Sequence, residues 1–184
     1  MEAMRSNSGF RRPPQSASGF WQAATRTDQK PPVKPCGNVY AGIMAANALV
    51  DTGAILAILD KTDRWHRTCV DTFRQFRLPL ITCEAVLTEL FHLIGDGRYE
   101  MEATWRFVRS GAIMLAAIDD TELPQIQALM SCYWDRPMDF ADATLVHLAK
   151  RESLYTIFTV DRGDFETYRI EGRRRFRVLP AGGP

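Results

Sequence analysis

The chain has 184 residues, enough for one domain with a sizeable core. Its 46% hydrophobic and 24% charged residues are the composition of an ordinary soluble globular protein, and no apolar run approaches the ~18 residues of a membrane helix. The formal net charge of +1 divides into +4 over residues 1 to 43 and −3 over residues 44 to 184, which argues against a broad basic face for nucleic acid. Any phosphate partner must therefore be met by local patches or by bound cations.

Residues 1 to 43 are rich in Pro, Ser, Gly and Arg and have no periodic apolar face, which predicts disorder. An Arg- and Ser-rich, acid-poor start also suits a transit peptide, but the prolines oppose the continuous amphipathic helix such a peptide needs. Alternatively the tail is a misassigned extension, since Met44 lies just before the first expected strand and is a natural start; the domain is read here as residues 44 to 184.

From Asn47 on, strand-like and helix-like patterns alternate. "ALV" before Asp51 reads as a short buried strand, followed by helices over "GAILAILDK" and residues 63 to 77. "LPLIT" (78 to 82) is a strand, and "CEAVLTELFHLIG" a helix with Thr82 as its cap and Gly95 as its stop. "RYEMEATWRFVRS" is helical up to Gly111, "AIMLAAI" is a strand, and "DDTELPQIQALMSCYW" is mostly helical. "DFADATLVHLAKRES" is a helix with Leu145, Leu148 and Ala149 on its apolar face. "LYTIFTV" is a strand ending at Asp161, and "RRFRVLP" a last strand stopped by Pro180. Strands alternating with helices predict an α/β fold with a parallel sheet, whose ligands sit beyond the carboxyl ends of the strands where the strand order reverses.

Asp51 follows a buried strand, so its side chain emerges at the carboxyl end of the sheet, and Asp161 does the same. The two meet in one crevice if their strands are neighbours. Asp142 lies near the start of a helix, three residues after Asp139. Glu89 lies seven residues after Thr82, nearly two turns on, and leans back toward the strand ends. Carboxylates gathered this way repel one another, by about 4 kcal/mol per close pair at an effective dielectric near 20. A hard divalent cation, magnesium or manganese, relieves that repulsion, and the four oxygen donors are expected to converge around it. Such ions assist in-line hydrolysis of phosphodiesters.

Blander roles compete for several of these acids. Asp139 suits a helix cap, with Asp142 as an imperfect capping-box partner; Asp164 also suits a cap; Glu84 suits the positive end of a helix dipole. His147, five residues past Asp142, is read as a core or surface residue. The aromatics of "SCYWDRPMDF" are read as packing the preceding helix. Arg162 and the run Arg173-Arg174-Arg175 are candidate phosphate contacts. The four cysteines, Cys36, Cys69, Cys83 and Cys132, form no CxxC pair; with only three histidines a zinc site is not expected, and free thiols in a reducing cytoplasm are.

"LVDTGAILAILD", "ITCEAVLTELFHLI", "YWDRPMDFADATLVHLAKR" and "TIFTVDRGDF" occur in order, and together they resemble a PIN domain, specifically the VapC-type ribonuclease toxins. The resemblance covers roughly residues 46 to 180. It implies that the acidic, metal-binding and catalytic site falls on Asp51, Glu89, Asp142 and Asp161, with Asp164 an optional fifth acid and Thr159 the small polar residue near the last aspartate. It also implies a three-layer α/β/α sandwich with a mainly parallel sheet, magnesium- or manganese-dependent cleavage of RNA, a homodimer, and a cognate antitoxin protein as partner. The long N-terminal extension departs from the family's pattern.

Three other readings remain open on the residues. A phosphotransfer enzyme with Asp51 as nucleophile would need a second Asp two positions on, where Gly53 stands. A receiver-like module would need a lysine after a later strand, which "TIFTVDRG" does not offer. A catalytically silent PIN-like binding module would not need four intact acids. Neither G-x-x-x-x-G-K-[ST] nor G-x-G-x-x-G occurs.

Overall fold

A computed structural model describes residues 46–136 and 138–184. The expected disorder of residues 1 to 43 lies outside the described residues.

Five strands form one sheet: β1 (Leu49–Val50), β2 (Leu80–Thr82), β3 (Ile113–Leu115), β4 (Thr156–Phe158) and β5 (Arg177–Leu179). Their order is β3-β2-β1-β4-β5 and every pairing is parallel. Parallel neighbours cannot be joined by hairpins, so helices carry the chain between them. These are α1 (Thr52–Leu59), α2 (His66–Phe73), α3 (Glu84–Leu93), α4 (Arg98–Val108), α5 (Leu123–Cys132), α6 (Phe140–Arg151) and α7 (Arg162–Thr167). After β1 and β2 the chain moves outward one way; after β3 it crosses back past β1. With right-handed crossovers that reversal carries the later helices to the opposite face, giving three layers.

The strands are short, two or three residues each. Leu49, Leu80, Ile81, Ile157 and Phe158 are fully buried, as continuous apolar runs in a parallel sheet should be. Helix α6 is buried on nearly every side from Ala141 to Ala149, so it is a central element, not a surface helix with the single apolar face read from its sequence. α1 packs on α2 and α3, and α6 packs on both α3 and α5.

Several expected boundaries move. Thr82 is the last residue of β2 and not a cap; Cys83 occupies the cap position of α3, without a side-chain bond. Gly95 and Gly111 do follow their helices with φ of 75° and 81°, the left-handed region that glycine enters without strain. Helix α7 was not legible, and Asp164 is its third residue, not its cap.

His147 belongs to the core, where its Nε2 stands 2.7 Å from Glu122 Oε1. Arg151 Nη1 donates to the same carboxylate at 2.9 and 3.0 Å and to Ala117 O, tying α6 to the segment after β3. Despite partial burial, bonds from the Asp119 backbone, His147 and Arg151 hold the Glu122 carboxyl down at about 2. A depressed folded-state value stabilises the protein above the unfolded value of 4.5, and that contribution is lost as pH falls toward 2. Glu122→Gln is expected to cost about 1–3 kcal/mol in urea denaturation at pH 7. The gap to wild type should close as pH approaches 2.

Candidate active site

The strand order reverses between β1 and β4, the position at which an open parallel sheet leaves a crevice beyond its carboxyl ends. There a cleft of about 240 Å³ is lined by Asp51, Glu89, Asp139, Asp142, Asp161 and Asp164, with Leu56, Leu93 and Val160 as apolar walls. The four acids singled out from the sequence thus line one cleft, though they come from different elements: Asp51 caps α1, Glu89 lies in α3, Asp142 in α6, and Asp161 caps α7.

Asp51 is the N-cap of α1 and is 7% exposed. Its two oxygens have separate partners. Oδ1 accepts from Thr52 N at 2.7 Å, and Oδ2 accepts from Thr159 Oγ1 at 2.7 Å. Thr159 Oγ1 in turn accepts from Asp161 N at 2.9 Å, so one buried hydroxyl couples the ends of β1 and β4. Thr52 Oγ1 donates to Glu89 Oε2 at 2.7 Å, which turns Glu89 toward the same cleft. The start of α1 approaches the segment after β4 so closely that a Cβ on Gly53 would stand 2.6 Å from Val160 Cγ2.

Asp139 is the N-cap of α6, and its Oδ1 accepts from Asp142 N at 2.8 Å. The capping box does not close, because Asp142 turns its carboxylate away from the cap. Its Oδ2 accepts from Tyr168 OH at 3.0 Å instead. Asp164 Oδ1 accepts from Arg136 Nε at 3.1 Å.

Apart from the Arg136–Asp164 pair, the electrostatics are those of acids gathered with little compensating charge. Burial, opposed by the bonds from Thr159 and Thr52, pushes Asp51 up from 3.8 to about 6. Burial and then the charges of Asp139 and Asp51 push Asp142 up to about 8. Asp161 is also raised, by burial and by Asp164. Among the described residues no group of three or more His, Cys, Asp or Glu side chains is drawn tightly enough to hold an ion as it stands. The expected convergence is therefore at the scale of a cleft and not of a coordination sphere. The donor set nevertheless suits a hard divalent cation: it is all oxygen, carries excess negative charge, and has no lysine among its lining.

The arginine run expected to meet phosphate lies elsewhere. Residues 173 to 175 precede β5, whose first residue, Arg177, pairs with Thr156 at the amino end of β4. The acids lie at the carboxyl ends, about a strand's length of 10 Å away. Arg174 is stacked 4.1 Å over the ring of Tyr155. Arg162 donates to Pro180 O and to Glu166 Oε1. The guanidinium bonded to the cleft lining is that of Arg136, which sequence reasoning missed. Tyr168 and Thr52 were missed as well. Tyr168 stands on the unrecognised α7 segment and meets Asp142 only through the fold, whereas Thr52, next to Asp51, could have been suspected.

No helix among the described residues is long and apolar enough to cross a membrane. The family profile described as PIN domain matches residues 48–170. The sequence is 31% identical over 134 residues to Ribonuclease VapC26 of Mycobacterium tuberculosis, covering 72% of this chain and 99% of that protein. Among solved structures, that of VapC20 from Mycobacterium tuberculosis, described as a sarcin-ricin loop cleaving toxin, superposes with a TM-score of 0.57. Its identity is 19%, over 62% of this chain and 90% of that one.

Proposed function

Because this chain belongs to the PIN domain family, we propose that it is a metal-dependent endoribonuclease that hydrolyses RNA phosphodiesters as the toxin of a type II toxin–antitoxin pair. The observation that carries the reading is the cleft itself: Asp51, Glu89, Asp142 and Asp161 line it together at the reversal of strand order. The proposed partners are RNA, a cognate antitoxin protein and a second copy of the chain, with the cytoplasm as the site of action.

Asp51, Glu89, Asp142 and Asp161 would hold the cation, magnesium or manganese. When bound, such an ion supplies the charge that a phosphoryl group and an attacking water need in an in-line displacement. The chain's own part is to hold the acids ready. Thr159 and the Thr52 amide fix both oxygens of Asp51, Thr52 aims Glu89, and the Asp139 cap and Tyr168 fix Asp142. Burial and the neighbouring charges of Asp139 and Asp51 raise Asp142 to about 8, so a cation held there would bind it in its ionised form at the expense of its proton.

The test compares two aspartates three residues apart. Asp139→Asn keeps a good helix cap, so stability should hold and cleavage of an RNA pool should fall by less than about tenfold. Asp142→Asn should lower cleavage by about 100-fold or more, the equivalent of roughly 3 kcal/mol of transition-state stabilisation. An Asp142→Asn protein that cuts at the wild-type rate removes Asp142 from the site.

The proposal also assigns nuclease function to residues 44 to 184 alone. A chain starting at Met44 is expected to keep its melting midpoint within about 2 °C, since the first strand begins at Leu49. It should also keep its cleavage rate within about twofold, read in parallel with the full chain. A large loss of either would make the first 43 residues part of the working domain.

A further inference from the structure

The turn between α5 and α6 carries an aromatic ring that the core does not use and a guanidinium that the acidic site engages only in part. The sequence suggested that the aromatics of this stretch pack inward. Tyr133 does so: its ring meets Tyr168 with centroids 5.1 Å apart, and its hydroxyl accepts from Arg169 N. Trp134 does the opposite and is 86% exposed, the most exposed large apolar side chain among the described residues. Phe140, directly after the cap Asp139, is 47% exposed.

Arg136 fixes this turn to the cleft. Its Nε donates to Asp164 of the cleft lining and its Nη1 to Thr167 Oγ1 at 2.7 Å. Nη2 has no acceptor among the described residues. It lies beside the first turn of α7, 3.8 Å from where a Cβ on Gly163 would stand, an ordinary van der Waals distance. With its side chain 52% exposed, Arg136 presents a positioned N–H edge at the rim of the cleft. Trp134 is two residues away, within about 7 Å along the chain.

We infer that this turn is the edge by which the protein grips its RNA, with Arg136 on a backbone phosphate and Trp134 stacked on an unpaired base beside the scissile bond. The inference rests on the nuclease reading above and adds the residues that position the substrate. The chemistry calls for such an element. A cleft lined by six acids repels phosphates wherever a cation does not sit, so affinity must come from its rim. A guanidinium matches phosphate geometry, and an aromatic face stacks on any base. The arginine run near β5 lies at the other end of the sheet and does not serve this purpose.

The experiment uses the full chain carrying Asp51→Asn, so that RNA is bound without being cut, in millimolar magnesium. The probe is a fluorescein-labelled single-stranded 12-mer of mixed sequence, followed by anisotropy. Adding Trp134→Ala should weaken binding by about 5- to 150-fold, the range for loss of one stacked base. Adding Arg136→Gln should lower the slope of log affinity against log salt by about 0.7, the value for one lost phosphate contact on a single strand. Trp105→Ala, which removes a half-exposed ring on α4 away from the cleft lining, should leave affinity unchanged. In the wild-type background Trp134→Ala should raise KM and keep kcat within about threefold. Unchanged affinity and KM in Trp134→Ala, or no measurable binding of the probe by the parent protein, overturns the inference. Unchanged values would leave the exposed ring to a protein partner. Failure of the nuclease reading shows separately, as a wild-type protein that cuts an RNA pool no faster than Asp51→Asn does.

Discussion

Asp51→Asn is expected to abolish RNA cleavage, by about 1000-fold or more, while the protein stays folded. Asp51 is the most buried acid of the cleft, and both of its oxygens are fixed by bonds from Thr52 N and Thr159 Oγ1. The amide keeps the size of the carboxylate but removes the charge. It also places an NH2 group against a donor: if it faces Thr159, that hydroxyl must turn, and the link from Thr159 to Asp161 N loosens. Both effects act on the proposed cation site, where a metal contributes several kcal/mol to a phosphoryl transition state, and about 4 kcal/mol corresponds to that factor of 1000. Single-turnover cleavage with magnesium or manganese in excess is the measurement, with circular dichroism as the check on folding. A fully active Asp51→Asn protein would end the nuclease reading.

Stripped of metal, the protein should be less stable at pH 8 than at pH 5 by several kcal/mol. The folded-state values of Asp51 and Asp142, about 6 and about 8, lie above the unfolded value of 3.8. Folding therefore binds protons across that interval, and stability falls as pH rises through it. The penalty is absent below about pH 4 and complete above about pH 8. At 1.36 kcal/mol per pH unit, Asp51, with a folded value about one unit above pH 5, accounts for on the order of 1 kcal/mol of the difference, and Asp142 adds a larger penalty of the same sign. Glu122 acts in the opposite sense, but only below its unfolded value of 4.5, outside this window.

A divalent ion reverses the penalty because it binds the ionised carboxylates of the folded state. At 100 times its dissociation constant it contributes about 2.7 kcal/mol. Urea denaturation at pH 5, 6.5 and 8, in EDTA and in millimolar magnesium or manganese, reads both effects. Asp142→Asn in EDTA should be more stable than wild type at pH 8 and show a flatter profile. A wild-type profile that is flat in EDTA and unmoved by metal would show that the acids neither repel one another nor gather around an ion.

Local pattern in the sequence was sufficient for the alternation of strands and helices, the stops at Gly95 and Gly111, and the emergence of Asp51 from a strand end, whereas β4 stops at Phe158 and Asp161 caps the helix that follows. Those features depend on neighbours a few residues apart, where the periods of 2 and 3.6 hold. Four motifs in order were also enough for the family. The partnerships within the cleft were decided elsewhere. Thr159 reaches Asp51 across 108 residues, Thr52 reaches Glu89 across 37, and Tyr168 reaches Asp142 across 26. The order β3-β2-β1-β4-β5 makes β1 and β4 neighbours and sends Arg173 to Arg175 to the far end of the sheet. Periodicity records which face of an element is buried, but not which element covers it. Strand order and the turn that brings Arg136 to Asp164 arise from packing the whole chain, and they are what distinguish an acid that merely caps a helix from one that lines the cleft.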